Sequence, residues 1–177
     1  ARRIGHVGDD VVGEEPAHRR AVARAERRDH AAEHLLGRDH RHLEDALKDI
    51  PNGRGVRADT ARRQDIDRVF GAFQEELGDI DILIDNAALS ADGIADASED
   101  DWRYAIEADF TAYLAFAREA GKRMRKRGGD IVLVGSISAE SRGKDSSIYV
   151  AAKAGVQGFA ESFAKEMAPH KVRVSLI

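Results

Sequence analysis

From about residue 53 onward, the apolar positions of the chain follow two alternating rhythms. Short runs rich in branched residues predict strands: "GRGVRA" at 53–58, "DILID" at 81–85, "DIVLVGS" at 130–136 and "VRVSLI" at 172–177. Between them, apolar residues return at helical spacing. Ile66, Val69, Phe70, Phe73 and Leu77 mark one helix, with Thr60 as its cap and Gly78 as its stop. Trp102, Ile106, Tyr113, Leu114 and Ala117 mark a second over about 98–127. Ser98 and three acidic residues open it, and a basic turn before Gly128 and Gly129 closes it. Val156, Phe159, Ala160, Phe163 and Met167 mark a third over about 147–168. The run at 130–136 is continuously apolar, the pattern of a strand covered on both faces. Strands alternating with long helices predict an α/β fold with a doubly wound parallel sheet, in one domain over residues 1–177. The chain opens on Ala1 and stops inside a predicted strand, so the sheet is expected to be incomplete at both ends.

Residues 1–36 break the rhythm. They use only ten residue types, with no Ser, Thr, Asn, Gln, Lys or aromatic residue. Their seven Arg are balanced by seven acidic residues, which excludes a basic nucleic-acid arm. A net charge of -4 for the whole chain gives no general attraction to nucleic acid or an anionic membrane. Cysteine is absent, which removes disulfides and thiolate metal sites and fits a cytoplasmic location. No apolar run approaches the roughly 18 residues of a membrane span, and no signal peptide is visible.

The chemistry sits in "LVGSISAESRGKDSSIYVAAKAG", residues 133–155. Tyr149 and Lys153 are four apart on a predicted helix and share a face. An ammonium beside a phenol favours the phenolate, which makes the tyrosine a usable acid or base. Ser136 ends the preceding strand, at the sheet edge where open α/β folds place their sites. Its hydroxyl suits hydrogen bonding to a carbonyl oxygen on which charge develops. This set fits proton transfer at a carbonyl or alcohol oxygen. No histidine stands nearby in sequence to support acyl transfer.

In this order and spacing, "DILIDNAAL", "DIVLVGSISA" and "YVAAKAGVQGFAESFAKEMAPHKVRVSLI" resemble the short-chain dehydrogenase/reductase family over about residues 35–177. The resemblance implies a Rossmann-like sheet and a nicotinamide cofactor that carries hydride to or from a small-molecule carbonyl or alcohol. It implies Tyr149 as acid/base, Lys153 as the group that lowers the tyrosine pKa and holds the nicotinamide ribose, and Ser136 as the carbonyl-positioning serine. Ser138 is the alternative serine. "RADTA" resembles the segment whose aspartate, here Asp59, meets the adenine. Asn86, Ala87 and Ala88 resemble the strand end beside the cofactor's ribose. Arg38, in "LLGRDHRHLEDAL", suits a 2′-phosphate and favours NADP(H) over NAD(H), a choice that Asp39 leaves open. The resemblance also implies a homodimer or homotetramer built through the two long helices. Trp102, Tyr113, Phe116 and Phe163 suit core or interface equally.

Three departures stand out. Asp109 occupies the position where the family carries an asparagine of its proton relay, and Ala88 replaces the common glycine. Nothing in residues 1–36 matches the family's opening strand and glycine-rich phosphate turn: Gly5, Gly8 and Gly13 have the wrong spacing. The composition of residues 1–34 is what a GC-rich gene yields in a wrong frame, so this segment is expected to be a frame-shifted reading. A chain with this N-terminus is expected to lack the central first strand and the phosphate cradle. Two other readings compete. One is a non-catalytic remnant or interaction protein of the same family. The other is a zinc hydrolase using "HAAEH", with His30 and His34 on one helical face.

Overall fold

The computed structural model describes the backbone of residues 21–27, 30–37, 40–50, 53–76, 78–91 and 93–177. Six strands form one sheet: β1 (Ala21–Arg27), β2 (His30–Gly37), β3 (Arg54–Arg57), β4 (Ile82–Asp85), β5 (Gly129–Leu133) and β6 (Val172–Leu176). Their order across the sheet is β3-β2-β1-β4-β5-β6. The helices are α1 (His40–Leu47), α2 (Arg63–Glu76), α3 (Glu99–Ile106), α4 (Ala112–Met124), α5 (Ser138–Ser141) and α6 (Ser147–Met167).

The parallel pairing expected from the sequence is present between β2 and β3, β4 and β5, and β5 and β6. The centre departs from it. β1 occupies the middle of the sheet and runs antiparallel to both neighbours. The expectation that a central strand would be lacking is therefore corrected: a strand is there, reversed. The cause is chain length. Arg27 pairs with His30, and only two residues separate the strands. A parallel crossover takes about a dozen residues or more, so β1 and β2 can only pair antiparallel. The same segment removes the zinc reading. His30 and His34 lie on a strand, not a helix, and four positions of strand separate them by about 13 Å along its axis. No group of three potential metal ligands occurs among the described residues.

One core holds the parallel half together. Phe70 and Phe73 of α2, Tyr113 and Phe116 of α4, and Val156 and Met167 of α6 pack with Leu83 of β4 and Ile131 and Leu133 of β5. The Phe70 ring meets those of Phe73 and Phe116 at centroid distances of 6.1 and 5.6 Å. Burying each such ring contributes about 2 to 3 kcal/mol. Leu43 and Ala46 of α1 form a separate small cluster. Burial in β4 and β5 alternates in degree along each strand. Leu83, Asp85, Ile131 and Leu133 are buried, whereas Ile82, Ile84 and Val132 are half-buried.

Two helix starts test local reading. Ser98 caps α3 as expected, its hydroxyl accepting from the Asp101 amide at 3.1 Å. Thr60 does not cap α2, which begins at Arg63. There the Asp65 carboxylate accepts from the Asp59 amide at 2.8 Å, and the Asp59 carboxylate from the Ala61 amide at 3.0 Å. The long second helix is interrupted by a π-helical turn, Glu107–Thr111, which carries Asp109. At its far end Gly128 has φ +85°, and a side chain there would meet the Lys171 carbonyl at 2.7 Å. No helix among the described residues is long and apolar enough to cross a membrane.

The packing of α6 on the π-helical turn generates a paired prediction. A Cβ at Gly155 would approach the Phe110 ring at 2.9 Å, whereas one at Gly158 would meet nothing within 4 Å. Replacing a mid-helix glycine by alanine gains about 1 kcal/mol from backbone propensity alone. Gly158→Ala is therefore expected to raise the urea midpoint. Gly155→Ala is expected to lower it, by about 1 kcal/mol net, because overpacking outweighs propensity. Equal gains at both positions would remove the close contact from the account.

Candidate active site

The site forms where β4 and β5 end. Asp85 closes β4 and is followed by Asn86, Ala87 and Ala88. Leu133 closes β5 and is followed by Val134, Gly135 and Ser136. Helix α6 brings Lys153 to this edge and buries it completely. Its ammonium donates to the Tyr113 hydroxyl at 2.8 Å and to the Val134 carbonyl at 3.0 Å. It also lies 4.3 Å from the Tyr113 ring centroid and 5.9 Å from that of Tyr149. A buried charge is tolerated only when it is hydrogen-bonded or paired, and these contacts meet that condition. The Tyr113 hydroxyl in turn stands 2.8 Å from the Ala87 carbonyl and 3.2 Å from that of Val134. It has one proton to give, and the shorter distance favours Ala87.

The structure thus brings Tyr149 and Lys153 together on one face of α6, at the edge that also carries Ser136 and Asn86. The Ser136 hydroxyl accepts from the Ser138 amide at 3.1 Å, which turns the chain into α5. Its own proton remains available for donation. Ser138 is the first residue of α5, and Ile137 between the two serines is exposed. Asp109 is buried, and its Oδ1 accepts from the Leu89 amide at 2.6 Å, fastening the segment after β4 to the π-helical turn.

Asp59 belongs to another corner, after β3. Tyr104 donates its hydroxyl proton to the Asp59 carboxylate, with 3.0 Å to each oxygen, and Arg62 lies 3.6 Å away. A cleft of about 400 Å³ opens there, lined by Arg57, Ala58, Asp59, Arg62, Asp65 and Arg68. Arg57 pairs with Gly37 at the end of β2. Arg38 lies outside the described residues.

Two members of the site escaped the sequence reading. Tyr113 had been assigned to core or interface. Phe116 and Phe163 are indeed core, and so is the Tyr113 ring, but its hydroxyl is the partner of Lys153. The available signal was the general need of a buried tyrosine hydroxyl for a hydrogen bond. Asp85 is the second. "DNAA" places an aspartate at the end of β4, directly before Asn86. Asp85 is fully buried, and neither carboxyl oxygen has a full hydrogen bond. Burial pushes its pKa up to about 7, against the opposing pull of the Ala87 amide and the Lys153 charge.

The residues can be tested against a nicotinamide dinucleotide. At its nicotinamide-ribose end the resemblance implies Tyr149, Lys153 and Asn86, and of these the Lys153 ammonium is buried against Tyr113 and Val134. Its pyrophosphate has no matching cradle among the described residues. β1 meets this edge with its first residue, Ala21, paired to both Leu36 and Asp85. Among the described residues, no strand leaves the sheet centre here for a glycine turn and a helix N-terminus.

A sheet in this order, with helices α2, α4 and α6 packed on its parallel half, defines a Rossmann-like protein. A family model described as short chain dehydrogenase matches residues 18–177. The chain belongs to the short chain dehydrogenase family. It is 32% identical over 128 residues to the 3-oxoacyl-[acyl-carrier-protein] reductase FabG of Vibrio cholerae, covering 71% of this chain and 52% of that protein. It is 32% identical over 125 residues to the reductase MabA of Mycobacterium bovis, covering 70% and 51%. It is 35% identical over 108 residues to trans-4-hydroxycyclohexanecarboxylate dehydrogenase of Sinomonas cyclohexanicum, covering 60% and 42%. A short chain dehydrogenase structure from Mycobacterium smegmatis superposes with TM-score 0.71 at 28% identity, over 80% of this chain and 62% of that one. The chain spans about half the length of the curated relatives it matches.

Asp85 carries a prediction about stability. Its folded pKa of about 7 lies above the ordinary carboxyl value near 3.8. The neutral form is therefore the one the fold favours. Stability is full below about pH 4 and declines as pH rises toward 7, by on the order of 4 kcal/mol in total from this group. Asp85→Asn is expected to flatten that decline, so its gain over the parent protein grows between pH 5 and pH 8. A constant difference in urea midpoint across this range would show that Asp85 does not titrate in the folded state.

Proposed function

We propose that this chain carries the proton-transfer site of a nicotinamide-dependent oxidoreductase acting on a secondary alcohol or ketone. The observation that supports this most directly is the Tyr149–Lys153 pair on α6, with the Lys153 ammonium bonded to the Val134 carbonyl, two residues before Ser136. In reduction, the phenol of Tyr149 gives its proton to the carbonyl oxygen, and the ammonium of Lys153 stabilises the phenolate left behind. Ser136 donates to the same oxygen, stabilising the charge that builds on it. The nicotinamide supplies the hydride to the carbonyl carbon when bound. Asp109 keeps the segment after β4 in place beside Asn86 and Ala87.

The substrate class follows from what two relatives' names share. A 3-oxoacyl group and a hydroxycyclohexanecarboxylate each present a ketone or secondary alcohol for this exchange. A preference for NADP(H) over NAD(H) is supported by Arg38 after β2 and by Arg57, Arg62 and Arg68 around the cleft beside β3. The arginines there outnumber the two aspartates, which favours an added phosphate. Tyr104 already holds Asp59, which weakens its assignment to the adenine. A homodimer or homotetramer through α4 and α6 belongs to the same proposal. The reversed β1 favours the second reading, a family member without catalytic turnover.

The test is steady-state reduction of a panel of ketones at millimolar NADPH, with cofactor binding followed by nicotinamide fluorescence. Turnover is expected in the parent chain, with Tyr149→Phe and Lys153→Met each slower by about 100- to 10,000-fold at unchanged circular dichroism. Binding without turnover, or rates indifferent to both substitutions, would hand the site to the non-catalytic reading.

A further inference from the structure

The Lys153 ammonium is anchored from below by a residue of a different helix, and that anchor has no part in the proton transfer described above. Tyr113 reaches it from α4, with the hydroxyl 2.8 Å from Nζ and the ring centroid 4.3 Å away. The same hydroxyl lies 2.8 Å from the Ala87 carbonyl, just past the end of β4. The Val134 carbonyl, just past β5, holds the ammonium at 3.0 Å. One hydroxyl and one ammonium therefore tie together α4, α6 and the ends of both strands that bear the site. Lys153 and Tyr113 are both completely buried, so neither has bulk water to replace a lost partner.

We propose that Tyr113 is a positioning residue for the acid/base pair: its phenol oxygen keeps the Lys153 ammonium charged and fixed beside Tyr149. This rests on the reading of Tyr149 and Lys153 as that pair. The physical reason is asymmetric. A buried ammonium gains little net stability from a satisfied hydrogen bond but loses much when one partner is removed. Without the phenol oxygen, the buried ammonium loses a hydrogen-bond partner and its fixed place beside Tyr149. The titratable groups beside the ammonium are Tyr149 on α6, Tyr113 on α4 and Asp85 at the end of β4. The Tyr113 hydroxyl accepts a hydrogen bond from Nζ at 2.8 Å. The Asp109 carboxylate is engaged by the Leu89 amide, and that of Asp85 acts on Lys153 through its charge.

The test compares steady-state ketone reduction by the parent protein, Lys153→Met and Tyr113→Phe. Lys153→Met is expected to lower kcat by about 100-fold or more, and Tyr113→Phe by about tenfold with KM unchanged. Tyr113→Phe keeps the ring and its packing, so a merely structural role predicts an unchanged kcat. If Lys153→Met lowers kcat and Tyr113→Phe does not, the positioning role fails while the acid/base reading stands. If neither lowers it, the acid/base reading fails, and the positioning role with it. Should Tyr113→Phe not fold, the parent protein alone decides. A Lys153 ammonium resonance protected from exchange, with Overhauser contacts to the Tyr113 ring, supports the role. A rapidly exchanging ammonium overturns it.

Discussion

A primary ammonium with no access to water constrains everything around it. Lys153 is completely buried near the middle of α6, and a bare charge there would cost several kcal/mol. The fold meets that cost with a phenol oxygen from α4 and a carbonyl from beyond β5. Those partners in turn fix where α4, α6 and the two strand ends stand relative to one another. The Ala87 carbonyl joins through Tyr113, so the segment after β4 is drawn into the same set. Tyr149, one helical turn before Lys153, is placed by this arrangement as much as by its own helix. Catalytic geometry and local stability are here the same set of contacts.

Charge is handled differently elsewhere in the chain, and the contrast shows why the site is unusual. Glu119 on α4 is also largely buried, yet Arg63, Arg118, Lys122 and Arg123 surround it within 3.3 Å. Its carboxyl is held down to about 2: hydrogen bonds and charge from these neighbours outweigh burial, which alone would raise it. Asp85 has no such company, and burial holds it near neutrality. The first is an ion pair that saturates its partners. The second is a carboxyl next to a site, with its proton poised to leave near physiological pH.

Much of this architecture was legible because two kinds of local signal agreed. Periodicity set the strands and helices of the second half, and Ser98 with its acidic turn announced α3 as a single residue type can. The spacing of Ser136, Tyr149 and Lys153 announced the chemistry. What escaped notice was set by tertiary contact. Thr60 has the chemistry of a cap, but α2 begins at Arg63, and the Asp65 and Asp59 carboxylates hold the Asp59 and Ala61 amides in a turn ahead of it. The π-helical turn at Asp109 leaves no mark in a helical hydrophobic pattern. Tyr113 reads as a core aromatic until the lysine from another helix is seen beside it. β1 was hidden for a further reason: residues 21–27 carry little strand-like alternation, and their place in the sheet is fixed by pairing with β2 and β4.

Under the proposed function the chain keeps a proton-transfer site while lacking, among its described residues, the cradle that holds a dinucleotide's pyrophosphate. Comparing two ligands isolates that claim. Reduced nicotinamide mononucleotide carries the nicotinamide end alone, and NADH adds the pyrophosphate and adenosine without a 2′-phosphate. Their dissociation constants, measured by calorimetry on the same protein, are predicted to agree within about fivefold, a difference of about 1 kcal/mol. NADH binding a hundredfold or more tighter would mean that a phosphate cradle exists, and would contradict the account.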